Sequence, residues 1–204
     1  MTRDKAGHHE QILEAARQEF LTCGFAEASM RRIAASAGMS AAGLYKHFPS
    51  KEEMFAALVE PAFQGLMSLY RHEEAAELEA LKSGLLTEKW EKGGEARLAM
   101  TYIYDHLGAF RLLICKAQGT RYESFLHDLA TEEEKTTMNM MALLRAQGKP
   151  IREVDPKEFH LLVSANVNAV FQAVEHDFTR EEALRYADTL DRFFSRGWQE
   201  FFGY

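Results

Sequence analysis

From Ser40 to Lys51 the chain reads SAAGLYKHFPSK, and its polar side chains there are donors: Ser40, Tyr45, Lys46, His47, Ser50 and Lys51. Lys46 is the long donor best placed for a guanine edge or a phosphate. Ala41 and Ala42 offer methyl groups that suit thymine, and Gly43 lets the backbone come close to a groove wall. Ser50 and Lys51 stand where a helix begins, and the unpaired N–H groups and partial positive charge of a helix start favour a phosphate there. Upstream, Arg31 and Arg32 lie on the outer side of a short helical pattern, where a guanidinium either reaches phosphate or stays solvated. The chemistry on offer is recognition of a polyanion with few direct base contacts, leaving part of any sequence preference to the shape of the duplex.

The charge balance confines that recognition to a patch. The chain of 204 residues carries 24 Lys/Arg against 31 Asp/Glu, a net charge of −7, which excludes a generally sticky polyanion binder. Residues 1–60 hold seven basic and eight acidic residues, so nearly all the excess acid lies after them.

Other chemistries find less support. No nucleophile elbow, phosphate-binding glycine loop or zincin motif is present, so an enzyme is not expected, although Asp105 and His106 leave an acid/base pair open as a rival reading. The eight histidines are neighbours only at His8 and His9, at a terminus expected to fray, so no metal is expected, and no cofactor either. Cys23 and Cys115 are far apart and lack ligand spacing. Cys115 reads as a small buried hydrophobe, with a redox-sensing thiol as the alternative. No apolar run is long enough to cross a bilayer and the start lacks the apolar stretch of a signal peptide, so a soluble, cytoplasmic protein is expected, with no membrane partner.

The elements that must hold these residues are helices. Apolar residues recur at helical spacing almost everywhere, as in Ile12, Ala16, Phe20 and Cys23, and the alternation of a half-buried strand is missing. The fold class is all-α. Gly24, Gly38, Gly108, Gly119 and Gly148 mark helix ends, and Ser50/Glu53, Thr131/Glu134 and Thr179/Glu182 fit the spacing of a capping box. Asp155 followed by Pro156 fits an N-cap with proline in the first turn. Ser29 can cap a helix whose inner face is Met30, Ile33, Ala34 and Ala37. Gly38 then turns the chain, Met39 plugs the corner, and Ser40 caps a second helix with Leu44 and Phe48 inward: a helix-turn-helix over 29–48. Glu60-Pro61 predicts that the helix starting near Lys51 ends or kinks. The division expected is a three-helix head at 1–50 and a helical regulatory body at 51–204, linked by the helix 51–61. Mobile loops are expected at 91–95 and 146–155.

Residues 10–60 resemble the DNA-binding head of the TetR family of bacterial transcriptional regulators. Ile33, Ala34, Ala37, Gly38, Ser40, Leu44, Tyr45, His47, Phe48, Ser50, Lys51 and Glu52 stand at the positions of that family's signature. The resemblance implies that the helix 40–48 enters the major groove, with Tyr45 and His47 on the backbone and Lys51 on a phosphate. The candidate DNA-binding residues are therefore Ser29, Arg31, Ser40, Ala41, Ala42, Gly43, Tyr45, Lys46, His47 and Lys51, and the expected partner is double-stranded DNA. Two heads in a homodimer would read half-sites about one DNA turn, ~34 Å, apart or a multiple of it.

In the body, Met67, Tyr70, Met100, Tyr102, Tyr104, His106, Phe110, Arg121, Tyr122, Met141 and Asn166 are candidates to line a pocket for an amphipathic or aromatic small-molecule effector. Met138, Met140 and Met141 would give that pocket adaptability or simply fill core. The last two helical patterns carry wide apolar faces, and Phe159, Val163, Val167, Val170, Phe171, Val174, Leu190, Phe194, Trp198 and Phe201 are expected to form a four-helix dimer interface. The resulting expectation is a ligand-responsive DNA-binding regulator, a repressor released from a palindromic operator. A constitutive DNA-binding or protein-interaction scaffold with a filled body is the rival from another class.

Overall fold

The structure is a computed structural model that describes residues 2–86 and 94–203. Among the described residues it is built from α-helices: α1 (Thr2–Glu27), α2 (Met30–Ser36), α3 (Ala41–His47), α4 (Lys51–Lys82), α5 (Glu95–Asp105), α6 (Leu107–Cys115), α7 (Phe125–Ala146), α8 (Pro156–Glu175) and α9 (Arg180–Phe202). They divide into two compact units, one of Met1–Gly65 with His106–Glu123 and one of Leu66–Asp105 with Ser124–Tyr204. By compactness the first unit reaches beyond the 1–50 head expected from the sequence. The reason is burial: α6 supplies Phe110 and Leu112, both wholly enclosed, as α1 supplies Ile12, Ala16 and Phe20.

In the first unit, Phe20, Phe25 and Phe55 pack ring against ring, with Phe20–Phe55 centroids at 5.1 Å and edge-on geometry. The helical path of α1 is interrupted at Gly24, whose φ of 76° suits glycine alone without strain. The Phe25 amide then bonds the Lys116 carbonyl at 3.1 Å. Met30, Ile33 and Ala34 form the inner face of α2 as the spacing predicts. Its end is a Schellman turn: Met39 N–H reaches Ala34 O at 2.9 Å, Gly38 N–H reaches Ala35 O at 3.1 Å, and Gly38 takes φ 68°. Ser40 Oγ caps α3 by accepting from Gly43 N–H at 3.1 Å, and Leu44 is its buried anchor. Ser50 Oγ accepts from Glu53 N–H at 3.1 Å and starts α4.

Helix α4 neither ends nor breaks at Pro61, which lies inside it. The missing N–H leaves the carbonyl one turn back without its helical donor. The N-terminus is helical from Thr2, and His9 stacks on Phe48 with centroids 5.3 Å apart, so the fraying expected around the histidine pair is not seen at His9. Gly108 lies within α6 and marks no helix end.

In the second unit α5 runs against α9 and α7 against α8. The Tyr104 hydroxyl sits 3.0 Å from Ala173 O and 2.9 Å from Phe178 O, tying α5 to the corner between α8 and α9. That corner is stopped and restarted by the full Thr179/Glu182 capping box, and Asp155 caps α8 through the amides of Lys157 and Glu158 with Pro156 in the first turn. Thr131 begins no helix; it lies within α7 and its hydroxyl donates to His127 O at 2.9 Å. Of the two expected mobile loops, 91–93 lie outside the described residues. The other is held: Arg145 donates to Ile151 O at 3.1 Å and Arg152 O at 2.7 Å, and Arg152 N–H bonds Phe202 O at 2.7 Å.

Much of the expected dimer face lies inside the single chain. Phe159, Val163, Val167, Val170, Phe171, Val174 and Leu190 are buried within the single chain, where Phe159 packs on Trp198, Phe201 and Phe202. Phe194, Trp198 and Phe201 are half-buried. The large apolar side chains left outside on α8 and α9 are Leu161, 69% exposed, Leu162, 40%, and Phe193, 71%. Helical periodicity located an apolar stripe on each helix, but the stripe closest to the core is covered by the chain's own neighbours.

Candidate nucleic-acid interface

Helix α3 is anchored through Leu44 and shows its remaining side chains to solvent. Ala42, Tyr45, Lys46 and His47 are exposed and Ala41 and Gly43 are partly so. Arg31, on the outer side of α2, is exposed as well. Arg31, Tyr45, Lys46 and His47 have no side-chain hydrogen bond or ion pair among the described residues, so their donors are available. Ser29, Arg31, Tyr45, Ser50 and Lys51 come together around one open concavity of about 600 Å3. His47 lines a second one, about 560 Å3, with Glu53, Pro61, Gln64 and Arg121. A hypothetical Cβ on Gly43 would sit 3.3 Å from Ser40 Oγ, so the glycine also leaves room for the cap that starts α3.

Three candidates differ from expectation. Ser29 stands at the N-cap position of α2 but makes no capping bond with its side chain; its backbone N–H donates to Glu19 Oε1 at 2.9 Å. Arg32 is exposed but paired. Its Nε donates to Glu19 Oε1 at 2.7 Å and its terminal nitrogen to Glu27 O at 2.7 Å. Lys51 Nζ turns to the backbone just ahead of α2, donating to Ala26 O at 3.0 Å and Ala28 O at 3.2 Å and lying 4.5 Å above the Phe25 ring. Burial pushes the Glu19 carboxyl up, but the bonds from Arg32 and the Ser29 amide outweigh it and hold the group below the ordinary glutamate value.

The residues expected to bind an effector are drawn from both compact units. His106, Phe110, Arg121 and Tyr122 belong to the first compact unit, and Met67, Tyr70, Met100, Tyr102, Tyr104, Met141 and Asn166 to the second. Met100 and Phe110 are wholly enclosed, Met141 nearly so, and Tyr104 serves the α8–α9 corner. Tyr122 and Arg121 both bond the Glu60 carboxylate, which that contact with Tyr122 holds below its usual range. Sequence reasoning missed Glu133. Burial, together with Glu95, Glu77 and Glu74 nearby, pushes its carboxyl up to about 7, and burial with Glu133 and Glu95 close pushes the Tyr70 hydroxyl up. The middle glutamate of the run Glu132–Glu134 gives no signal of this in the sequence, since the cause is three-dimensional. Cys115 is exposed, contrary to the buried position expected. Among the described residues no group of three or more His, Cys, Asp or Glu side chains could hold a metal ion.

A helix-turn-helix carried by an all-helical chain, with exposed donors on its second helix, defines a class of DNA-binding head. Residues 12–58 match the family model for bacterial regulatory proteins of the tetR family, and the helix-turn-helix at 29–48 lies within that match. Curated relatives match over a similar short span. The nucleoid occlusion factor SlmA of Marinobacter nauticus is 37% identical over 68 residues, 33% of this chain and 35% of that one. SlmA of Vibrio atlanticus is 40% identical over 65 residues, 31% and 33%. The chain thus spans about a third of the length of the curated relatives it matches. Solved structures match nearly end to end. The fatty acid degradation regulator FadR from Bacillus halodurans superposes with a TM-score of 0.59 at 15% identity, covering 93% of this chain and 95% of that one. The TetR family regulator PfmR from Thermus thermophilus superposes with 0.56 at 24%, covering 92% and 95%. The fold is that of TetR-family regulators.

Proposed function

We propose that the chain is a homodimeric transcriptional regulator that reads double-stranded DNA with α3, and that it acts as a repressor released by a small molecule. The observation that carries the reading is the solvent-facing set Arg31, Tyr45, Lys46 and His47 around a Leu44-anchored helix in a TetR-family head. In this reading Lys46 is the base or phosphate donor, Ala41, Ala42 and Gly43 form the small face that lies on the groove floor, and Tyr45, His47 and Arg31 hold the backbone. Residues 1–50 do the reading and 51–204 the regulation. Leu161, Leu162 and Phe193 are the apolar contacts of the dimer. Gly197 lies four residues from Phe193, and a Cβ there would meet nothing within 4 Å, so a partner helix has room to approach. The effector site belongs to the second unit, where Glu133 and Tyr70 supply the polar groups with shifted ionisation.

Selection of bound duplexes from a random pool at stated salt tests this. The expected result is a palindrome whose half-sites lie about one helical turn, ~34 Å, apart or a multiple of it. Retention of duplexes without sequence preference sinks the reading. A second reading, a DNA-bound factor with no effector, is favoured by the closed surroundings of Met100 and Met141. Thermal melting with a library of amphipathic compounds separates the two. A bound effector at a hundred times its Kd stabilises by about 2.7 kcal/mol, and a filled body shows no shift with any compound.

A further inference from the structure

In the segment 25–29, which runs from the break at Gly24 to the start of α2, three carbonyls and one amide are taken by charged side chains. Ala26 O and Ala28 O accept from Lys51 Nζ of α4 at 3.0 and 3.2 Å. Glu27 O, between them, accepts from Arg32 of α2 at 2.7 Å. The Ser29 amide donates to Glu19 of α1 at 2.9 Å, and the same carboxylate oxygen accepts from Arg32 Nε at 2.7 Å. Phe25 anchors the other side: its ring lies under the Lys51 ammonium at 4.5 Å and packs against Phe20 and Phe55. Three helices therefore grip the one connection through which α2, and α3 after it, is attached to α1.

Orphaned carbonyls beyond a helix end need donors, and charge-assisted bonds to them are about twice as strong as neutral ones. A lysine whose ammonium bridges two carbonyls over an aromatic face is an internal strut. We infer that Lys51 and Glu19 are positioning residues of the reading head. They set the direction in which α2 and α3 leave α1 and α4, and the lysine's charge acts within the protein where a place on a phosphate had been expected. This rests on the DNA-reading function proposed above and assigns roles within that same head.

The test uses the full-length protein and a selected duplex. Affinity is measured between 50 and 200 mM salt for wild type, Lys51→Ala, Glu19→Gln and Lys46→Ala, with amide hydrogen exchange of each protein free of DNA. Each phosphate contact contributes about 0.9 to the slope of log K against log salt. Lys51→Ala is expected to weaken binding about tenfold with the slope unchanged and to speed exchange over 25–36 in the free protein, while exchange in α8 and α9 stays as in wild type and shows that the variant is folded. Glu19→Gln discriminates by sign. Removing a negative charge near DNA strengthens binding if only long-range electrostatics matters, whereas loss of positioning weakens it. A slope reduced by about 0.9 per head in Lys51→Ala, or tighter binding by Glu19→Gln, overturns the inference. Should wild type prefer no duplex, the regulator reading fails, and the exchange over 25–36 still decides whether the two residues hold the connection: rates unchanged in both variants overturn it.

Discussion

Glu133 shows how far a residue's ionisation depends on what surrounds it. Its carboxyl is pushed from 4.5 up to about 7, so between those values the folded chain holds a proton that the unfolded chain has released. Stability must then fall as pH rises from 4.5 to about 7, because the native state binds more protons there. Urea titrations of wild type and Glu133→Gln are expected to coincide near pH 4.5 and to diverge as pH rises to about 7, the variant staying more stable by on the order of 2 kcal/mol from there upward; curves that stay parallel across the range would remove the assignment. Glu19 has the opposite sign: its lowered value makes its contribution present above the ordinary glutamate pKa and lost as acid is added.

Elements in this chain are set by short-range chemistry where they start and stop. The Thr179/Glu182 box is the clearest case, with Glu182 N–H on Thr179 Oγ1 at 3.3 Å and Thr179 N–H on Glu182 Oε2 at 2.8 Å. Thr179→Ala is expected to cost about 1 kcal/mol and to speed amide exchange in the first turn of α9, while exchange in α2 and α3 stays as in wild type. The Gly38 turn and the Ser40 cap follow from equally local spacing, which is why the helix-turn-helix was legible from residues 29–48 alone. Thr131 and Glu134 share the spacing of a box and form none, since residues 125–130 already make the preceding turn of α7. Pro61 is the converse: a residue able to end a helix that is carried inside a 32-residue one.

At the scale of the whole molecule the issue is which apolar surface remains for a second copy. Leu161 and Phe193 are exposed in one chain, whereas Phe159 and Phe171 are its core. The double variant Leu161→Glu/Phe193→Glu is therefore expected to sediment as a folded monomer with wild-type helicity, abolishing cooperative half-site binding. Phe159→Ala is expected instead to destabilise the fold by about 3–5 kcal/mol. If the charged double variant still sediments as a dimer, those helix faces are not the interface.

The sequence by itself determined the helical class, the head's helix-turn-helix and most helix ends, because glycine conformations, caps and periodicity act over three or four residues. Tertiary structure alone decided that Lys51 turns to Ala26 and Ala28, that Glu133 is brought close to other acids, and which apolar side chains of α8 and α9 stay outside. Each of these depends on groups brought close from distant parts of the chain, and residue spacing along one helix carries no record of what packs against it.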